Sequence, residues 1–181
     1  MLGIILYKSK YGAARQYALW LSEALQLTIR EAGTETAEDL ADADYVILGT
    51  SIYIGQFQIK SWLEENKGKL AGKKVYLYIV CGTPANETDK QEQYYRDNVP
   101  VSLWDIRRRI FLPGRLLYAK LRWRDKFMLQ AGALMARLSG EKLHTTDYDD
   151  VKQEHLAPLL TLIRQETMLN SPFVITSVPT I

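Results

Sequence analysis

The sequence is poor in the residues that build covalent or metal-based sites. Cys81 is the sole cysteine among 181 residues, so no internal disulfide can form, and a lone thiol fits a reducing compartment. The two histidines, His144 and His155, stand too far apart for a helical ligand pair, and no cysteine cluster accompanies them. A structural zinc is therefore not expected. Long apolar runs are missing as well: Leu2, Gly3, Ile4, Ile5 and Leu6 run straight into Tyr7 and Lys8, too soon for a signal-peptide core or a spanning helix. The expectation is a cytoplasmic protein, at most peripheral at the inner face of a membrane. Neither a low-complexity tract nor a repeat of solenoid period is present.

What remains is an ordinary globular composition, 47% hydrophobic and 24% charged, which argues against disorder. The length suits one domain, expected over residues 1–169, with an extended or disordered tail over 170–181 that contains Pro172 and Pro179. Charge is unevenly spread. Arg107, Arg108, Arg109, Arg115, Lys120, Arg122, Arg124 and Lys126 oppose only Asp125, so residues 107–126 carry +7 and the rest of the chain −5 against a net +2.

Hydrophobic periodicity predicts a βαβ rhythm. Residues 2–8 form a near-continuous apolar run, the mark of a strand buried on both faces of a parallel sheet. From Ala13, the residues Ala14, Tyr17, Ala18, Leu21, Ala24 and Leu25 recur at helical spacing, and a short strand is expected around Leu27–Glu31 before Gly33. A second strong strand, residues 43–51, precedes a helix anchored by Ile59, Trp62 and Leu63. A third, Val75–Cys81, is broken by Gly82-Thr83-Pro84 ahead of a polar helix from Glu87 to Arg96. Three such units in succession argue for a parallel sheet. Beyond Pro100 the pattern predicts a last strand near Arg109–Leu112 and a long helix over Leu121–Leu138. Trp123, Phe127, Ala131, Leu134, Met135 and Leu138 are its expected buried stripe. A final helix, Asp149–Met168, should be kinked or divided by Pro158.

In an open parallel sheet ligands bind beyond the carboxyl ends of the strands, where helix N-termini present free N–H groups. The first such loop reads Ser9-Lys10-Tyr11-Gly12-Ala13-Ala14. Gly12 would let the backbone approach a phosphate closely, and one hydroxyl in a loop this short suits a terminal phosphate monoester better than a pyrophosphate. The loop lacks the glycine spacing and Lys-Ser/Thr pair of a nucleoside-triphosphate site, and an ordinary tight turn would read the same way. The second loop, Gly49-Thr50-Ser51-Ile52-Tyr53-Ile54-Gly55, sets a tyrosine where it could stack on a planar ring or simply cap the core. The third, Gly82-Thr83-Pro84, could offer backbone groups to the edge of the same ring, while Cys81 is expected to be buried rather than reactive.

Three segments together, Ile4 to Arg15, Gly49 to Gly55, and Trp123-Arg124-Asp125-Lys126-Phe127-Met128 through Ser139-Gly140, resemble the flavodoxin-domain family that includes menaquinone-dependent protoporphyrinogen oxidase. The resemblance implies a flavodoxin-like three-layer α/β sandwich whose five-stranded parallel sheet has the order 2-1-3-4-5. It also implies FMN held by the loops that begin at Ser9, Thr50 and Gly82. One departure stands out: members of this fold place threonine or serine hydroxyls near the positions of Tyr11, Ala13 and Ala14. Each lost charge-assisted hydrogen bond costs about 1.5–3 kcal/mol, a tenfold to hundredfold loss of affinity. The resemblance thus implies an FMN-dependent oxidoreductase passing electrons to a quinone. The alternatives are a flavodoxin-type electron carrier, or a domain that has lost strong FMN binding.

The basic window interleaves its cations with Phe111, Tyr118, Trp123 and Phe127, just after Trp104. It could meet an anionic small-molecule substrate, a quinone-bearing membrane surface through residues 107–127, or simply water as a solvated helix face. No recognised nucleic-acid-binding motif accompanies the charge, so nucleic acid is not an expected partner.

Overall fold

The computed structural model describes residues 1–83, 85–106, 108–138 and 146–168. Five parallel strands form its centre: β1 (Gly3–Lys8), β2 (Thr28–Glu31), β3 (Tyr45–Tyr53), β5 (Lys74–Cys81) and β6 (Arg109–Pro113), with β4 (Gln56–Phe57) folding back antiparallel on β3. Their order is β2-β1-β3-β5-β6. Counting only the five parallel strands, this is the expected 2-1-3-4-5.

Strand alternation sends successive side chains to opposite faces, and each face carries its own core. Ile4, Leu6, Val46, Leu48, Leu77 and Ile79 pack against α3 (Lys60–Asn66), α4 (Thr88–Asn98) and the short α2 (Ala37–Ala41) through Leu40, Trp62, Leu63 and Tyr95. Ile5, Ile47, Tyr76, Tyr78 and Val80 pack against α1 (Ala13–Leu25) and α6 (Ala157–Met168) through Ala14, Tyr17, Leu21, Leu159 and Ile163. Tyr17, Tyr76 and Tyr78 bury their rings in this core while each hydroxyl finds a hydrogen-bond acceptor. Tyr17 donates to Pro113 O at 2.9 Å and Tyr78 to Ala14 O at 2.9 Å. Tyr76 donates to Glu166 Oε2 at 3.0 Å, and burial raises its pKa well above the ordinary phenol value.

Two glycines are required by close packing. A side chain on Gly3 would overlap the Tyr45 ring, and one on Gly49 would overlap Tyr78. Gly49 therefore opens the slot through which the Tyr78 ring lies across β3.

Several local expectations are corrected. Residues 37–41 form a helix that hydrophobic periodicity did not reveal, started by a capping box in which Thr36 and Asp39 each accept the other's backbone N–H. The bond from the Thr36 N–H holds the Asp39 carboxyl below the usual carboxylate range. Pro158 does not kink a helix running from Asp149. It is the second residue of α6, inside the first turn, where its missing N–H costs nothing. Residues 148–149 instead form β8, paired antiparallel with β7 (Arg115–Leu116). The predicted tail from Asn170 lies outside the described residues, as does His144.

The long helix, α5 (Trp123–Leu138), departs most from expectation. Trp123 and Phe127 were expected in its buried stripe but are 73% and 68% exposed. Across residues 121–130 the one buried side chain is Asp125. The side chains of Leu134, Met135 and Leu138 lie outside the described residues.

Candidate functional site

Register decides where the loops fall. Lys8 pairs with Thr50 and Ser51 with Val80, so the carboxyl ends of three neighbouring strands finish on one edge. The loops after β1, β3 and β5 share that edge.

In the first loop Gly12 has φ 83° and caps α1, with no side chain capping that terminus and no acid in its first turn. The N–H groups of the opening turn have no carbonyl partner within the helix. Ala13 and Ala14 turn their side chains into the core, where Tyr78 fixes the Ala14 carbonyl. What they offer the loop is backbone. Ser9 Oγ is buried without a hydrogen-bond partner among the described residues. An orphaned hydroxyl beside an uncapped helix start is the donor set that a phosphate monoester needs.

The second loop is a hairpin. β3 continues past the expected Ser51 to Tyr53, and Ile52 pairs with Phe57 and Tyr53 with Gln56. Between them Ile54 and Gly55 have φ 50° and 71°, the positive pair of a type I′ turn. That conformation is strained for a β-branched residue, by about 1–3 kcal/mol. Thr50 is fully buried, and its hydroxyl accepts from Ile59 N and donates to Ser51 O, both at 3.3 Å. It builds the loop rather than facing a ligand. Ser51 and Ile52 are half-buried, and Ile54 and Gly55 are exposed.

Asn98, at the end of α4, clamps this hairpin from behind. Its Oδ1 accepts from Phe57 N at 3.0 Å, and its Nδ2 donates to Gly55 O at 2.9 Å and Tyr94 O at 2.8 Å. Asn98→Ala leaves buried backbone groups unpaired and should cost about 1–3 kcal/mol. A lowered denaturant midpoint with an unchanged m-value would register it.

The third loop opens at Gly82, where the Tyr148 hydroxyl fills the space a side chain would need. Cys81 is buried, and burial raises its thiol pKa despite hydrogen bonding with Thr83. Gly82 is exposed and Thr83 half-buried. Pro84 lies outside the described residues.

Asp125 joins the first two loops. Its carboxylate accepts from the hydroxyls of Tyr11 and Tyr53 and from Lys10 Nζ at 3.0 Å. Lys10 Nζ also lies 3.5 Å from the centroid of the Tyr53 ring. Partial burial works against the Lys10 charge, but hydrogen bonds to Tyr53 and Asp125 outweigh it and raise its pKa above the ordinary value. Beside this cluster Ile54, Trp123, Phe127 and Met128 line a cavity of about 570 Å³ with Arg122 and Arg124. No group of three or more potential metal ligands occurs among the described residues.

A family profile described as the flavodoxin domain matches residues 4–145. The chain belongs to the flavodoxin domain family. This flavodoxin-domain protein is 24% identical over 167 residues to protoporphyrinogen IX dehydrogenase [quinone] of Escherichia coli strain K12, covering 83% of this chain and 91% of that protein. Among solved structures it is similar to oxidised flavodoxin 2 from Bacillus cereus (18% identity, TM-score 0.45, 77% of this chain and 99% of that one). It is also similar to two-electron reduced flavodoxin from Megasphaera elsdenii (21% identity, TM-score 0.43, 54% and 79%).

All three predicted loops of this flavodoxin-domain protein thus share one edge, but sequence reasoning missed three of its parts. Asp125 carried a signal as the lone acid of a basic window. Asn98 and Tyr148 carried none, since their partners are remote in sequence. The basic window itself is not one patch. Arg108 pairs with Glu166 at 2.5 Å, Arg109 with Glu92 at 2.6 Å and Arg115 with Asp149 at 3.5 Å. Arg122 and Arg124 stay exposed on the α5 side, while Arg107 lies outside the described residues. Among the described residues no helix is long and apolar enough to cross a membrane.

Proposed function

We propose that the protein is an FMN-dependent oxidoreductase that passes electrons from an anionic, reduced substrate to a quinone. The observation that carries this reading is the buried, unpartnered hydroxyl of Ser9 beside the uncapped start of α1. Ser9, Lys10, Tyr11, Gly12 and the backbone N–H groups of Ala13 and Ala14 would hold the cofactor phosphate. Thr50, Ser51, Ile52, Tyr53, Ile54 and Gly55 would form and support the ring platform, and Gly82, Thr83 and Pro84 would meet its polar edge. When bound, FMN would supply the redox chemistry. The residues of the chain would orient it, and Arg122 and Arg124 would attract the substrate's negative charge. Similarity to protoporphyrinogen IX dehydrogenase along 91% of that protein's length supports a porphyrinogen as the anionic substrate. The exposed cations beside the site favour this over an electron shuttle, which meets basic partners through an acidic face.

Titration of purified protein with FMN tests the reading. Saturable quenching of flavin fluorescence is expected, followed by quinone reduction when a porphyrinogen is supplied to the FMN-saturated protein. Protein that stays colourless and leaves flavin fluorescence unquenched would instead identify a domain without strong cofactor binding.

A quinone acceptor would reside in lipid, and the exposed start of α5 supports a contact with that surface. Exposed Trp123, Phe127 and Met128 beside Arg122 and Arg124 suit an anionic lipid interface, apolar groups entering and cations meeting headgroups. Burying an aromatic side chain of this size is worth about 1.5–3 kcal/mol. The double variant Trp123→Ala, Phe127→Ala should therefore bind anionic vesicles at least about tenfold more weakly in a sedimentation assay. Equal sedimentation of both proteins would remove the membrane contact.

A further inference from the structure

The first half of α5 is inside out. Its aromatics face solvent, and its one buried side chain between residues 121 and 130 is a carboxylate. That carboxylate engages donors from both candidate cofactor loops: the ammonium of Lys10 and the hydroxyl of Tyr11 from the first, the hydroxyl of Tyr53 from the second. It also holds Lys10 over the face of Tyr53, 3.5 Å from the ring centroid. A flat ring stacking on that face would have to displace the ammonium.

We infer that Asp125 is an internal competitor of the cofactor, and that α5 is a strap whose release opens the cradle. The inference rests on the flavin reading given above. In the closed state the carboxylate takes the donors that a phosphorylated ligand needs and screens the positive charge of Lys10. An anionic ligand arriving beside it meets like charge in a partly buried setting, where repulsion is weakly screened. With Asp125 released, Lys10, Tyr11 and Tyr53 become available together. Apparent affinity is the intrinsic affinity reduced by the fraction of open molecules. Weakening the latch must then tighten cofactor binding, whereas weakening a cofactor-holding residue must loosen it.

Asp125→Asn keeps the shape of the side chain and removes its charge. Its partners Lys10, Tyr11 and Tyr53 are exposed or half-buried and can turn to water, so the variant should fold, and Asp125→Ala provides a second removal of the latch. The experiment is fluorescence titration of the full chain with FMN, run beside hydrogen exchange of the amides of residues 122–130. We expect both variants to bind FMN at least about tenfold more tightly than the parent. In the parent, added FMN should speed exchange in this stretch as the strap lets go. Equal or weaker binding by the variants, or slower exchange on adding FMN, overturns the competition while leaving the flavin reading intact. Folded parent and variant proteins that all fail to quench millimolar FMN overturn both.

Discussion

Gly49→Val is expected to lower the melting temperature by roughly 10 °C. Over-packing a filled interior costs about 1–3 kcal/mol, occasionally more, and a chain of this size loses about 2–4 °C per kcal/mol. Gly49 lies toward the upper end because the obstructing group cannot give way. The space its side chain would take is filled by the ring and hydroxyl of Tyr78, which is fully buried in the centre of the sheet. Moving that ring also breaks its 2.9 Å bond to Ala14 O, worth about 1 kcal/mol. The damage should be specific to this pair. In a double-mutant cycle, Gly49→Ala should cost far less once Tyr78 is replaced by leucine, giving a coupling energy of about 1 kcal/mol or more. A thermal scan in which Gly49→Val melts within 2 °C of the parent would contradict this packing.

Ser9→Ala should act with opposite signs on stability and on cofactor binding. Without ligand, the substitution removes a buried hydroxyl that has no partner among the described residues, so the melting temperature should hold or rise slightly. With FMN, it removes a charge-assisted donor worth about 1.5–3 kcal/mol, and affinity should fall roughly tenfold to a hundredfold. Melts with and without saturating FMN separate the effects, because ligand stabilisation scales with the logarithm of affinity. The variant should start level or higher and gain less. A variant that loses stability without FMN and gains the full ligand shift would remove Ser9 from the phosphate loop.

The sheet was legible because its strands are written in local pattern. The apolar runs at residues 2–8, 43–51 and 75–81 have the length and composition of buried strands, and the loops following them end on one edge once the strands are parallel, whereas the strand order was implied by the family resemblance. The hairpin after Tyr53 was not legible. An Ile-Gly pair is a poor advertisement for a turn with two positive φ values, and the Asn98 clamp comes from more than forty residues downstream. The orientation of α5 was misread for a related reason. Helical spacing identified a stripe through Trp123 and Phe127 but carried no information about which way it faced. The answer lay with Lys10, Tyr11 and Tyr53, whose donors draw Asp125 inward. The basic window likewise looked continuous until Glu92, Glu166 and Asp149 arrived from other elements to divide it.

The seat of Cys81 has a practical corollary. Cys81 is the last residue of β5, in register with Pro113 on the edge strand β6, and burial raises its pKa and keeps it a thiol at neutral pH. With no second cysteine in the chain, any covalent dimer seen on a non-reducing gel must come from molecules in which this buried strand end has opened. Such a band would gauge damage to a preparation and say nothing about how intact copies associate.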